Sequence, residues 1–385
     1  MHDAIVVGAG PAGCATAIHL ARGGLSVALI ERAKEPRRKA CGEGLFPLGT
    51  LELERLGVAD RISADAARLD QLRFHAGGRV ASAHLGTAGV PALGVRRGAL
   101  EQVLVEAVRE AGVEIREGTA VRSLVVHERT AAGVELATGE RVTGRVIVAA
   151  DGLHSRIRRQ IGLDRGGRGD RYGVSAHVRM KFPPDSRIEV YFEDGYELYL
   201  TPVGGGLVNA AVLLGRGGMR RFAGRIEPGF RELLAGHPAM ARGFAITDAP
   251  LAAGPFPAAA RRVWRANVVL VGDAAGFFDG ISGEGMAIAL RSGRLAAEAI
   301  SSYLATGTPD PLRRYDREVR TLRRNSDLLA RLSLLLGRNP RLAGFAVSRL
   351  AANPGAFTGL TAISGGERGW SSLRPSDLIA LMVRG

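Results

Sequence analysis

The chain has 385 residues, 46% of them hydrophobic, and a formal net charge of +14 carried almost wholly by arginine. That length and apolar content support one large or two ordinary folded domains and exclude global disorder. No run of about 18 uninterrupted apolar residues predicts a membrane span, and two cysteines, Cys14 and Cys41, are too few for a disulfide scaffold.

The chain begins at once with the strand-like "AIVVGAG", without the basic segment, apolar stretch and cleavage site of a secretory leader. A cytoplasmic location is therefore expected, with attachment at a membrane periphery left open by the basic charge. That charge suits anionic partners: a membrane surface, an acidic carrier protein or an acidic substrate. No nucleic-acid motif or aromatic–basic interleaving accompanies it, so a nucleic-acid role is not expected, and no metal-ligand cluster is evident.

"AIVVGAGPAGCATAIHLARGGLSVALIER" reads as strand, turn, helix and second strand. Gly8, Gly10 and Gly13 stand in G-x-G-x-x-G spacing, with Pro11 and Ala12 opening the helix between them. Gly8 permits the tight turn, Gly10 lets backbone approach a pyrophosphate, and Gly13 lets helix and strand pack closely. The helix N-terminus offers free N–H groups to phosphate. Glu31, 18 residues after Gly13 at the end of the second strand and followed by Arg32, is placed to accept a ribose hydroxyl pair and disfavours a 2′-phosphate. The fingerprint occurs once, so the chain binds NAD alone, or FAD with any nicotinamide visiting without its own Rossmann unit.

Three later stretches decide between these. "GVRRGALEQVLVEAV", 94–108, puts Arg97 at a helix start. "RVIVAADGLHSRIRRQIGL", 145–163, is strand, polar turn and helix, with Asp151, Gly152, Ser155 and Arg158 in A-D-G-x-x-S-x-x-R spacing. "NVVLVGDAAG", 267–276, is a buried strand ending in Gly272-Asp273, and "GEGM" with Gly283, Gly285 and Met286 opens another helix. In this order and spacing the chain resembles the p-hydroxybenzoate hydroxylase-type flavoproteins from Met1 to about Thr306. The resemblance implies FAD as cofactor, NAD(P)H as transient co-substrate, Asp273 beside the ribityl or ribose region, Arg97 on FAD, and the helix from Gly285 aimed at the pyrimidine end of the flavin.

"KACGEGLFP", 39–47, and "GDAAGFFDGISGEGM", 272–286, resemble the geranylgeranyl reductase family within that superfamily. Gly280 stands where that family usually has proline. The resemblance puts Cys41 and Gly42 near the flavin, and Cys41 reads either as an active-site thiol or as a small residue tolerated beside the cofactor. Glu284 would sit near the flavin edge or cap its own helix. Flavin-dependent halogenation is not expected, because no lysine lies between Lys39 and Lys181 and a W-x-W-x-I-P segment is missing.

"RIEVYFEDGYELYLTPVGGGLVNAAVLLG", 187–215, reads as strands joined by glycine-rich turns. The pleat puts Glu197, Tyr199 and Thr201 on one face and Tyr196, Leu198 and Leu200 on the other; the first set is the candidate substrate wall. From about 307 the pattern is helical with interspersed arginines.

The expected fold is α/β: a discontinuous Rossmann-type FAD-binding domain (1–170 and 261–306), an antiparallel β-sheet substrate domain (171–260) and a C-terminal helical region (307–385). The expected function is FAD-dependent reduction of a C=C bond in an apolar isoprenoid- or polyketide-like small molecule. Monooxygenation of such a substrate is the alternative.

Overall fold

The computed structural model describes residues 1–373 apart from 35–38, 87–88, 129, 167–168, 223 and 338. The end of the expected helical region, 374–385, lies outside the described residues.

The short β-branched runs of the N-terminal half become the centre of a parallel sheet. Its strands run in the order Val268–Leu270, Arg141–Ala149, His2–Val7, Val27–Ile30, Glu114–Arg116. Helices Pro11–Arg22, Arg97–Glu110 and Gly285–Thr306 pack around it, and the shared core includes Ile5, Val6, Leu29, Leu104, Val148, Leu270 and Leu290. Both faces are covered at the centre, which is why His2–Val7 and Val27–Ile30 bury runs of consecutive apolar residues instead of alternating.

Gly8 and Gly13 show why the fingerprint needs glycine. Gly8 has φ +106°, and a Cβ on it would lie 2.4 Å from the Ala150 carbonyl oxygen. A Cβ on Gly13 would lie 1.9 Å from the Gly8 carbonyl oxygen. Any side chain at either position would push helix, turn and neighbouring strand apart. Cys14 is fully buried, with its thiol donating to the Ala9 carbonyl at 3.2 Å.

The second sheet runs Phe244–Ile246, Arg171–Met180, Val208–Gly215, Tyr196–Pro202, Arg187–Glu193, Gln71–Ala76, Arg79–His84. It differs from the expected substrate domain in one respect. Residues 71–84 fall inside the segment assigned to the FAD-binding domain, yet Gln71–Ala76 pairs in parallel with Arg187–Glu193. Polar alternation in "QLRFHA" gives a strand but names no partner; the docking of Phe74 on Phe192, with ring centroids 5.2 Å apart, supplies one.

Each face of this sheet has its own core. Leu198, Leu200, Val212 and Leu214 pack with Phe230 and Leu234 of the Ile226–Ala235 helix. Phe192, Val190 and Leu213 face the other way, toward Ala330, Ala343, Val347 and Phe357 of the C-terminal helices Asp310–Gly337, Pro340–Ala352 and Pro354–Ser364. The C-terminal helices thus close the open face of the second sheet. Buried Tyr315 ties them to the first sheet by donating to the Leu270 carbonyl at 2.8 Å.

Candidate active site

One cavity of about 560 Å³ joins the two sheets, within the usual size of small-molecule and cofactor sites. At one end it touches Gly10, Pro11 and Ala12, the opening turn of the first helix. Gly10 caps that helix without a side-chain hydrogen bond, so its first N–H groups remain for a ligand. Glu31 is held in place by two backbone donors, Ala9 N–H to Oε2 at 2.7 Å and Ala33 N–H to Oε1 at 3.0 Å. Arg32, the next residue, is exposed. Gly8, Gly13, Glu31, Arg32 and Asp151 do not line the cavity, whereas Arg97, Gly152, Gly272, Asp273, Gly283, Gly285 and Met286 do.

Buried arginines hold the return segment. Arg158, 4% exposed, donates to the carbonyls of Ala274 and Leu153, each at 3.0 Å, and to Asp164 at 2.7 Å. Asp151 accepts from the N–H of Arg156 at 2.8 Å, and Ser155 caps the same helix by accepting from Arg158 N–H at 2.9 Å. The A-D-G-x-x-S-x-x-R spacing therefore builds a capped turn whose arginine staples the G-D-A-A turn to it. Arg323, from the C-terminal helices, donates to the Gly272 carbonyl at 2.8 Å. Burial pushes the Asp273 carboxyl up, but Lys39 at 2.8 Å, with Arg323 and Arg97, outweighs burial and holds it below the usual carboxylate range.

The 39–47 loop forms the middle of the wall, and the second sheet grips it. Cys41 N–H donates to Ser175 Oγ at 3.2 Å, and Asn209 Nδ2 donates to the Cys41 carbonyl at 2.6 Å. Ser175 and Asn209 come from neighbouring strands, Arg171–Met180 and Val208–Gly215. Burial pushes the Cys41 thiol up, with Arg97 opposing, so the thiol is neutral at neutral pH and borders the cavity. Glu43 also lines the cavity. Its carboxylate accepts from Arg97 N–H at 2.6 Å and pairs with His177 Nε2 at 2.7 Å.

Beyond the loop the wall becomes apolar: Phe46, Leu72, Phe74, Val190, Phe192 and Leu213 on one side, Ala343, Val347 and Phe357 on the other. Tyr199 and Thr201 line it, and Tyr199 donates to the Ile281 carbonyl at 3.2 Å. Glu197 shares their strand face but lies outside the lining. It is 4% exposed and paired with Arg171 at 2.8 Å, which also bonds Asp279 at 3.1 Å. Burial of a charged strand residue demands a partner, and Arg171 draws Glu197 into packing instead of the cavity.

Glu284 also differs from expectation. It caps the Gly285–Thr306 helix without a side-chain cap bond, is 3% exposed, and is not part of the lining. Ser326 and Ser364 hydrogen-bond to it, while burial pushes its carboxyl up to about 8. Its backbone, not its acid, is what adjoins the cavity through Gly283 and Gly285.

Sequence reasoning did not single out Glu43, His177 or the C-terminal wall. Glu43 stood inside the quoted loop, but its partner is 134 residues away. The wall came from a segment whose helical periodicity marks a core face without saying what that face covers.

The cavity opens between the C-terminal helices, where Leu332, Leu342 and Phe345 line it and are still 46%, 42% and 42% exposed.

The family described as "FAD binding domain" matches residues 1–326. The chain belongs to that family. It is an FAD-dependent oxidoreductase. A menaquinone reductase from Mycobacterium tuberculosis is 32% identical over 349 residues, covering 85% of this chain and 84% of that protein. A chloroplastic geranylgeranyl diphosphate reductase from Oryza sativa is 33% identical over 345 residues, covering 80% of this chain and 69% of that protein. A rifampicin monooxygenase from Rhodococcus hoagii is 29% identical but spans only 41% of this chain. Among solved structures, a flavoprotein/dehydrogenase from Cytophaga hutchinsonii shares the fold, with a TM-score of 0.82, 20% identity, and coverage of 94% of this chain and 92% of that one.

Residues lining the cavity and beside it in this flavoprotein fit FAD. The uncapped helix start at Gly10 can receive a diphosphate and the oriented Glu31 a ribose. Arg97, buried yet kept charged by Glu101 at 2.7 Å, adds a fixed positive charge beside Gly10. When bound, FAD supplies the redox chemistry; the chain holds it, shields it from water and shapes the apolar space beyond it.

Proposed function

We propose that this protein reduces a carbon–carbon double bond in the prenyl part of a lipid or quinone, with NAD(P)H as the electron donor to FAD. The observation that carries the reading is the continuity of the cavity. The same space that touches the nucleotide turn at Gly10–Ala12 runs past Cys41 and Glu43 into a long apolar wall and out at Leu332, Leu342 and Phe345. An elongated apolar chain with one reducible bond near the loop suits that shape. The menaquinone reductase and geranylgeranyl diphosphate reductase relatives support it by their names.

On this reading Gly8 to Gly13 and Glu31 bind the adenine half of FAD. Arg97, Asp151, Gly152 and Asp273 hold its centre, and Gly42, Gly283, Gly285 and Met286 flank the ring. Cys41, Tyr199 and Thr201 contact substrate.

The mouth supports a membrane surface as the source of substrate, in preference to an acidic carrier protein. Arg324, Leu328, Arg331, Leu332 and Leu335 follow one stripe of the Asp310–Gly337 helix and are exposed. Leucines beside arginines on a helix face suit the boundary between acyl chains and anionic headgroups. None of the described helices is long and apolar enough to cross a membrane, so attachment would be peripheral, at the cytoplasmic face.

Monooxygenation is the second reading, favoured by the partial match to the rifampicin monooxygenase. Turnover of prenylated quinones and prenyl diphosphates with NAD(P)H, with and without oxygen, separates the two by product mass. A gain of two hydrogens under anaerobic conditions supports reduction. A gain of one oxygen that requires air overturns it.

A further inference from the structure

Saturating a C=C bond adds a hydride to one carbon and a proton to the other. FAD, when bound, would supply the hydride, and the proton needs a donor in the cavity wall. Three titratable side chains, distant in sequence, form a chain that ends at that wall. Glu43 lines the cavity and is 5% exposed. Its Oε2 pairs with His177 Nε2 at 2.7 Å, and His177 Nδ1 pairs with Asp248 Oδ2 at 2.9 Å. Asp248 is fixed in turn, because its Oδ1 accepts the His177 backbone N–H at 2.8 Å.

The placement of Glu43 is costly. It has φ +60°, in the left-handed region that favours glycine, inside a loop otherwise rich in glycine. A side-chain-bearing residue keeps such a conformation only where its surroundings over-determine it. Here Arg97 N–H and His177 hold the carboxylate, while Ser175 and Asn209 hold the backbone two residues earlier.

We propose that Glu43 and His177 together store and deliver the proton that completes double-bond reduction, with Asp248 positioning the imidazole. The inference rests on the reductase reading of this same site. The Glu43 carboxylate takes the Nε2 proton of the imidazolium, which becomes neutral imidazole with Nδ1–H on Asp248, and passes that proton to the carbon that does not take the hydride. Solvent then reprotonates Nε2, since the His177 side chain is 21% exposed.

The electrostatics agree with this assignment. The hydrogen bond that Glu43 accepts from Nε2, with its charge and that of Asp248, raises the His177 pKa against the lowering effect of burial. Among the described residues, Glu43 from the loop and Asp248 from the segment after strand Phe244–Ile246 are the charged groups paired with the ring. Asn209, opposite on strand Val208–Gly215, is neutral, and Arg179, next on the same face of strand Arg171–Met180, is exposed. This is the base-plus-orienter arrangement of other acid–base sites, with a carboxyl at the reacting end.

The test uses the FAD-loaded protein, Asp248→Asn, Glu43→Gln and His177→Gln, with a short-tailed menaquinone and geranylgeranyl diphosphate as probes. Three quantities are measured from mildly acid to alkaline pH: the His177 pKa by NMR of labelled histidine, anaerobic reduction of the flavin by NAD(P)H, and its reoxidation by probe in a single turnover. Reoxidation should fall as pH rises through the His177 pKa. Asp248→Asn should lower that pKa and the alkaline limb of reoxidation together. Glu43→Gln should slow reoxidation by roughly 10²–10⁴-fold, the usual span of a general acid, and by far more than it slows reduction by NAD(P)H; His177→Gln should remove the alkaline limb.

The proposal is overturned if Asp248→Asn moves the NMR pKa and the alkaline limb stays. It is also overturned if His177 titrates at or below the ordinary histidine value, or if Glu43→Gln keeps FAD and reoxidises at the wild-type rate. If wild-type protein reduces neither probe, the reductase reading fails, and the His177 titration still judges the pair.

Discussion

At the scale of single residues, burial decides what each acid can do. Glu284 and Asp273 are both acids of the return segment, yet their environments push them apart. Lys39 faces Asp273 and holds it ionised, whereas burial, against the hydrogen bonds of two serines and with the charges of Glu367 and Asp327, raises Glu284 to about 8. The folded state therefore binds a proton at Glu284 that the unfolded chain releases above its ordinary value of 4.5. Stability from this group is complete below 4.5, declines between 4.5 and about 8 by up to about 1.4 kcal/mol per pH unit, and is lost above. Glu284→Gln, which keeps shape and hydrogen bonds without the charge, should flatten that decline; Tm of both proteins across this window checks it, and parallel curves refute it.

Cys41 gives a second prediction at this scale. Its raised thiol pKa makes it a poor nucleophile at neutral pH. Cys41→Ser should leave FAD bound and its reduction by NAD(P)H unchanged, while slowing substrate-dependent reoxidation if the thiol orients substrate. Unchanged single-turnover reoxidation would make Cys41 a packing residue.

At the scale of elements, the active site is held together by staples between segments that carry no strand pairing to each other. Arg158 bonds the carbonyls of Leu153 and Ala274 and the carboxylate of Asp164. Arg158→Ala leaves two buried acceptors unpaired, at about 1–3 kcal/mol each. It should lower holoenzyme stability by about 2–6 kcal/mol and weaken FAD retention, read from urea unfolding and from flavin released on gel filtration. Stability within 0.5 kcal/mol of wild type, the range of ordinary surface changes, would count against the staple.

The Asp310–Gly337 helix belongs to the same scale. Its first half anchors on the core through Tyr315, and its second half presents Leu328 and Leu335, 43% and 57% exposed, beside the mouth. Neither leucine lines the cavity. Replacing both with glutamate should leave turnover of a short-tailed, water-dispersed probe unaffected. It should reduce co-sedimentation with vesicles containing phosphatidylglycerol at least tenfold, since about 1.4 kcal/mol of burial and charge attraction is a factor of ten. Equal vesicle binding by both proteins would exclude this face as the attachment surface.

At the scale of the molecule, the cavity is shared by two sheets and three C-terminal helices, so its contents bear on the stability of the whole. FAD that binds only the folded form stabilises it by about 2.7 kcal/mol at a hundredfold excess over Kd. Removing FAD should therefore lower Tm. It should also increase hydrogen exchange first at the 39–47 loop and the Gly272–Ala275 turn, which face the cavity. Exchange that rises uniformly instead would mean that FAD does not organise these two segments locally.

The sequence by itself determined the parts of this protein that are local. Glycine at 8, 10 and 13 and an acid at 31 define a nucleotide turn because backbone geometry over a few residues permits little else. The A-D-G-x-x-S-x-x-R and G-D-A-A-G runs are likewise each one turn and one helix start. The pleat alone separated Tyr199 and Thr201 from Leu198 and Leu200. Tertiary structure decided how those pieces meet. Glu197 shares the face of Tyr199, but Arg171, itself bonded to Asp279, pulls it out of the cavity. Residues 71–84 join the second sheet because Phe74 finds Phe192 and Phe357, contacts that no local pattern encodes. Glu43, His177 and Asp248 come from a loop, a strand and the segment after a second strand, and each alone reads as an ordinary polar residue. Their chemistry exists only where low-dielectric burial and sub-3 Å contacts bring the three together, and those are properties of the packed chain.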